Sequence, residues 1–282
     1  MARVDVHGVA FHVEDQGEGE PLVLLHGFTG SSESWHPVAE CIAADRRVIT
    51  IDMLGHGRTD APSDLVRYAF DEVIDDLVAV AAVCDIGSAA WLGYSMGARL
   101  ALGIALHHQD LVSSLILESV SPGIPDDRAR AERRDADEAL AQRIVELGID
   151  DFVDSWERLP LWDSQLALPA ETLKRQRQLR LRNAPVGLAN SLRGMGQGAQ
   201  PSFWNQLTES HVPTLLIAGE LDHKYVAIAE AMHAAMPQAA LAIVANAGHA
   251  VHLERPQQFV DIVRGFLLIP ARLTCTHMEA ER

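Results

Sequence analysis

Three residues that can act together on a carbonyl or an acidic carbon stand at separated points of this chain: Ser95, Asp222 and His249. Ser95 lies in Gly93-Tyr94-Ser95-Met96-Gly97, where an apolar run (AAWLGY) meets a helix-forming run (MGARLALGIALHH). Small residues two positions to either side let a strand turn sharply into a helix, because a Cβ there would clash, and the turn presents the serine at its apex. A serine hydroxyl is inert near neutral pH unless a base takes its proton and a third group orients that base. Asp222 follows the apolar run PTLLIAGE, and His249 ends the run ALAIVANAGH, so a carboxylate and an imidazole sit at the ends of two later strands. Asp222 has an alternative role as the cap of a helix beginning near Tyr225, and Asp52, in IDMLGHGRTD, is a second carboxylate placed after a strand. Among 13 histidines, His249 alone follows a late strand through a glycine, and the nearby His252 is assigned a supporting role.

An oxyanion needs donors as well as a nucleophile. In LLHGFTGS, Gly27 lets the Phe28 amide turn inward beside the amide of Met96, which opens the helix after Ser95. Two such donors are worth about 3 to 4 kcal/mol each on a developing negative oxygen. His26 is read as a support for that loop.

The elements that must hold these groups follow from hydrophobic patterning. Six short apolar runs read as buried strands: 21–27, 47–53, 89–94, 111–119, 213–220 and 240–249. Between them lie helical patterns such as FDEVIDDLVAVAAVC and PQQFVDIVRGFLL, and this alternation predicts a mostly parallel sheet with helices on both faces. The first twenty residues alternate as an antiparallel hairpin at the sheet edge. The rhythm stops after Ser119 and resumes at Pro213, which divides the chain into a core at 1–120 and 212–270, an inserted helical lid at 121–211, and a tail at 271–282.

Composition narrows the function. The chain has 282 residues, is 48% hydrophobic, and carries a net charge of −16, which argues against nucleic acid or an anionic membrane as partner. No apolar run reaches about 18 residues, and the acidic N-terminal stretch is unlike a signal peptide; the reading is a cytoplasmic protein. Cys41, Cys84 and Cys275 are scattered and predict neither a disulfide framework nor a metal site. The charge is uneven: residues 123–205 hold 12 Lys/Arg against 13 Asp/Glu, and 171–193 hold six basic residues against one acidic. That concentration predicts a pocket for an anionic substrate. Lys174, Arg177 and Arg180, at helical spacing, are read instead as a solvated face.

With HGFTGSSESW, DMLGHGRTD, GYSMGARLAL, GELDHKY and GHAVHLERP in order, the chain resembles the α/β-hydrolase superfamily over nearly its whole length, with the chain order Ser, Asp, His expected there. GYSMGAR, RAERRDADEALAQRI, NSLRGMGQGAQPSFW and GHAVHLE are similar to one branch, the 2-succinyl-6-hydroxy-2,4-cyclohexadiene-1-carboxylate synthases of menaquinone formation. The resemblance implies a lyase that uses the triad as a base to eliminate pyruvate from a small tricarboxylate, without metal or organic cofactor. It implies substrate contacts at Tyr94, Arg99, Arg133 (or the adjacent Arg134), Trp156 and Arg182, with Arg193 in reserve; Tyr94 and Trp156 have core packing as an alternative. Rival readings are an esterase or C–C bond hydrolase of the same fold, and a non-catalytic ligand receptor. Oligomeric state is left open.

Overall fold

The computed structural model describes residues 2–268; the expected tail at 271–282, Cys275 and the last two positions of the expected core segment lie outside the described residues. Eight strands form one sheet in the order β1-β2-β4-β3-β5-β6-β7-β8, with β1 Ala2–Val6, β2 Val9–Gln16, β3 Pro21–Leu25, β4 Arg47–Ile51, β5 Ala89–Tyr94, β6 Val112–Glu118, β7 Thr214–Gly219 and β8 Ala239–Val244. The pair β1–β2 is the edge hairpin and runs antiparallel, as does β2 against β4, while every pairing from β4 to β8 is parallel. The mostly parallel sheet expected from the alternation is the one observed.

The strand pleat sends alternate side chains to opposite faces, and each face has its own core. Val23 and Leu25 of β3 join Trp91, Leu115, Leu117 and Leu216 under α2 (Phe70–Val83), α3 (Met96–His107) and α7 (His223–Ala235). Leu22 and Leu24 join Leu92, Ile116 and Ile217 under α1 (His36–Ile42) and the helix Pro256–Leu267. With both faces covered, these strands need apolar residues at successive positions, which is why they read as continuous apolar runs.

Between β6 and β7 the chain forms α4 (Asp127–Trp156), α5 (Ala170–Leu181) and α6 (Pro185–Met195). Gly148, at φ 85°, interrupts α4. A third apolar cluster (Ala141, Ile144, Phe152, Leu188, Leu192) holds α4 on α6, and Phe28 from the core packs against it. Two glycines of α6 let its backbone touch the core: a Cβ on Gly187 would strike the Gly55 carbonyl, and one on Gly194 would strike that of Tyr68. The parallel strands end beneath these helices, so the loops after β3, β5, β6, β7 and β8 open toward them, the usual ligand side of such a sheet.

Candidate active site

Ser95 stands between β5 and α3 at φ 50°, ψ −105°, a conformation L residues rarely adopt. The two glycines explain how it is held. A Cβ on Gly93 would collide with the Gly97 carbonyl and the Ala98 amide, and a Cβ on Gly97 would collide with the Leu25 and His26 carbonyls at the end of β3. The elbow is thereby pressed against the loop that follows β3. Gly27 in that loop must also lack a side chain, since a Cβ would sit 2.7 Å from the Tyr94 ring.

His249 Nε2 lies 3.1 Å from Ser95 Oγ, and its Nδ1 lies 2.6 Å from Asp222 Oδ2. The imidazole is buried, and its loop is tied from both sides. Ser119 Oγ donates to the His249 carbonyl at 2.8 Å, and the buried Glu254 carboxylate accepts the Gly248 amide at 2.7 Å and the Ala250 amide at 3.3 Å. The second carboxylate oxygen of Asp222 faces the Tyr225 amide at 3.5 Å, so the cap and the histidine are served by different oxygens of one group. Asp52 is fully buried elsewhere, accepting the Ser32 and Arg58 amides. His26 accepts the Met53 amide on Nε2 at 3.0 Å, which leaves Nδ1 to donate to the Gly27 carbonyl at 2.8 Å. His252 donates its amide to the fully buried Glu118 carboxylate, with Nδ1 2.8 Å from the same group.

Ser95 and His249 open on a cavity of ≈ 320 Å³. Phe28 and Met96 both line it, and the Met96 amide, first in α3, has no carbonyl one turn earlier to bind. Tyr94 lines it too, wedged between Gly27 and the His252 ring, 4.7 Å away between centroids. Trp156 packs on Phe28 and Phe152 while its indole Nε1 is buried without a partner, so packing and exposure to the cavity coexist in one side chain. Apart from Asp222, which is held on His249, every charged residue lining the cavity is cationic: Arg99, Arg133 and Lys224. Arg99 is 6% exposed and donates to the Met195 carbonyl and to Gln200 Oε1. Burial lowers its pKa to about 10, which still leaves it charged near neutral pH, and no salt bridge ties it to a carboxylate among the described residues. Arg133 reaches Asp137 and Gln197, each at 2.8 Å, whereas the adjacent Arg134 turns away to the Gly198 carbonyl. Lys224 is exposed at the cavity, yet partial desolvation and the charge of Arg133 hold its pKa below that of an ordinary lysine.

Several expectations are corrected. Arg182 is not brought to the cavity: its side chain is 59% exposed and pairs with Glu33 at 2.9 Å. Elsewhere in the basic run 171–193, Arg177 pairs with Asp154 and Glu157 and Arg193 with Glu138, away from the cavity. Arg180 does not belong to a solvated face, since its side chain is 11% exposed and its guanidinium lies 5.6 Å from the Trp162 ring centroid. Lys224, Tyr225, Gln197 and Trp162 line the cavity without having been singled out from sequence. The only advance signal was position, Lys224 and Tyr225 following Asp222 directly. Among the described residues no group of three or more His, Cys, Asp or Glu could hold a metal ion, and no helix is long and apolar enough to cross a membrane.

A sheet of this order, carrying a serine elbow after β5, a carboxylate after β7 and a histidine after β8, defines an α/β-hydrolase-fold enzyme. Residues 20–256 match the α/β-hydrolase fold family. The chain is 44% identical over 262 residues to a putative 2-succinyl-6-hydroxy-2,4-cyclohexadiene-1-carboxylate synthase of Bacillus subtilis, covering 92% of this chain and 95% of that one. It superposes on the structure of MenH from S. aureus with a TM-score of 0.87 at 38% identity, covering 91% and 97% of the two chains. A thermophilic esterase from Thermogutta terrifontis shares the fold at a TM-score of 0.82 and 26% identity, over 94% of this chain and 96% of that one. The chain belongs to the α/β-hydrolase family and, within it, to the family of the 2-succinyl-6-hydroxy-2,4-cyclohexadiene-1-carboxylate synthases.

Proposed function

We propose that this chain is a carbon–oxygen lyase that eliminates pyruvate from 2-succinyl-5-enolpyruvyl-6-hydroxy-3-cyclohexene-1-carboxylate, giving 2-succinyl-6-hydroxy-2,4-cyclohexadiene-1-carboxylate. The observation that carries the reading is the cavity's lining. Arg99, Arg133 and Lys224 face a serine–histidine pair from a protein of net charge −16, an arrangement suited to a tricarboxylate and wasteful for a neutral ester. Guanidinium suits the task because its fork takes a carboxylate by two hydrogen bonds and keeps its charge when partly desolvated.

The reaction follows from the groups. His249, oriented by Asp222, withdraws the Ser95 proton, and the serine oxygen removes the ring C2 hydrogen, which the adjoining succinyl ketone acidifies. The ketone oxygen carries the developing charge between the Phe28 and Met96 amides. That charge then returns to the ring: C2=C3 forms, the old C3=C4 pair becomes C4=C5, and the C5–O bond breaks. The departing enolate takes a proton on carbon and leaves as pyruvate. Neither an acyl-enzyme nor water enters the balance. Tyr94 and Trp156 shape the cavity wall, and the helical segment 121–211 serves as a lid over a core of 1–120 and 212–270. Arg182 has no part in the substrate site.

The mass of the ring product tests this. Elimination yields a product lighter than substrate by one pyruvate, with one pyruvate released per ring. A ring heavier than that by one water would show hydrolysis of the enol ether and remove the lyase reading.

A further inference from the structure

The hydrogen-bond chain from Asp137 through Arg133 and Gln197 to Tyr225 has a fixed direction. Arg133 donates Nε to Asp137 Oδ1 and a terminal nitrogen to Gln197 Oε1, both at 2.8 Å. Asp137 is itself fixed by the Gly198 amide at 3.1 Å. A guanidinium has donors only, so the Gln197 amide oxygen must face it and the amide nitrogen must face away. That nitrogen donates to the Tyr225 hydroxyl at 2.8 Å, which makes the phenol oxygen an acceptor there. The phenol's own hydrogen finds no acceptor among the described residues, although Tyr225 is only 8% exposed and lines the cavity with Ser95, Arg99 and His249. Its ring stands edge-to-face on His249, with centroids 4.6 Å apart. Burial pushes the phenol pKa up, so the hydrogen stays on near neutral pH. Arg99, whose charge acts on this phenol, spends one terminal nitrogen on Met195 and Gln200, and its other donors find no acceptor among the described residues.

We propose that Tyr225 donates its phenolic hydrogen to the carboxylate that Arg99 pairs with, so that a neutral donor and a guanidinium together form one carboxylate site. This rests on the anionic-substrate reading above and adds a residue and a polarity to it. With Arg133 preventing reversal of the chain, the site accepts a group that only receives hydrogen bonds and disfavours a carboxamide, whose N–H would meet the phenol hydrogen head-on.

A double-mutant cycle on binding tests it, with 2-succinylbenzoate, a stable aromatic dicarboxylate, as the probe and calorimetry as the readout. Tyr225→Phe keeps the ring on His249 and removes the phenol, both the donor to the cavity and the acceptor of the Gln197 amide; its Kd is expected to rise about 10- to 100-fold, the range of a hydrogen bond to a charged group. In Gln197→Glu, the new carboxylate accepts from both neighbours and draws the phenol hydrogen away from the cavity. In that background Tyr225→Phe is expected to change Kd by no more than about twofold. The proposal is overturned if Tyr225→Phe binds as the unmodified protein does, if its penalty is equal in both backgrounds, or if the unmodified protein fails to bind the probe. Pyruvate release, assayed on the same preparations, separates the two readings: binding that follows the cycle without turnover removes the lyase activity and leaves the Tyr225 donor supported.

Discussion

Ser95 carries a conformational cost that a chemical role explains. Its φ of 50° and ψ of −105° place an L side chain where strain of about 1 to 3 kcal/mol is typical, and the surrounding elbow must hold it there. Ser95→Gly is therefore expected to raise unfolding stability by about 1 kcal/mol, while Ser95→Ala, which keeps a Cβ, leaves it nearly unchanged. Both should lose pyruvate release by more than about 10⁴-fold, as when a triad acts as a unit. Urea denaturation beside turnover checks this, and equal stabilisation by the two variants would refute the strain argument. The arginines divide by environment. Arg99→Ala and Arg133→Ala are expected to cost about 1.5 to 3 kcal/mol in kcat/KM, the scale of a hydrogen bond to a charged group. Arg182→Ala, exposed and paired with Glu33, should change kcat/KM by under about 0.5 kcal/mol. A loss for Arg182 equal to that for Arg99 would return it to the substrate site.

At the scale of elements, the glycines differ in what surrounds them. Gly97 is closed in by the carbonyls of Leu25 and His26, so Gly97→Ala must push α3 away from the end of β3 and is expected to cost about 3 kcal/mol. Gly148, where α4 is interrupted, has nothing within 4 Å of an added Cβ, so Gly148→Ala meets only its φ of 85° and should cost about 1 kcal/mol. The urea midpoints of the two variants decide, and similar values would mean the close approach at the elbow is not what the glycine serves. The same contrast explains what was legible beforehand. The apolar run of every parallel strand is followed within four residues by a glycine, aspartate or serine, so the sheet and the Ser95, Asp222 and His249 positions could be read from local pattern. The inserted helices could not be read this way. Lys174, Arg177 and Arg180 share a helical spacing, yet Arg180 turns onto Trp162 and Glu157 because α5 lies against α4 there. Glu33, Glu138 and Glu157, which capture arginines of 171–193, come from elements distant in sequence. Gln197 and Tyr225 meet only because residues 196–200 fold back over α7.

Over the whole molecule, charge and burial set the response to pH. His26 and His56 are fully enclosed at the base of the loop that follows β3, and desolvation lowers both pKa values, that of His56 to about 3. In the unfolded chain each titrates near about 6.5. Between these values the unfolded state binds more protons, so stability is complete above about pH 6.5 and falls as pH drops, with a slope of up to about 1.4 kcal/mol per pH unit for each histidine. His56→Gln should flatten the decline between pH 6.5 and 4.5 by about one proton's worth, as measured by urea unfolding at each pH; an unchanged slope would contradict this. The molecule sets a net charge of −16 against a cavity lined by Arg99, Arg133 and Lys224, and under the proposed function it is expected to take a compact polyanion in preference to neutral esters. Supplying the enolpyruvyl cyclohexene tricarboxylate and following pyruvate, with a p-nitrophenyl ester assayed beside it, tests that claim most directly. Rapid pyruvate release that vanishes in Ser95→Ala, with little turnover of the ester, is the expected result. Brisk ester hydrolysis with burst kinetics and no pyruvate would contradict it.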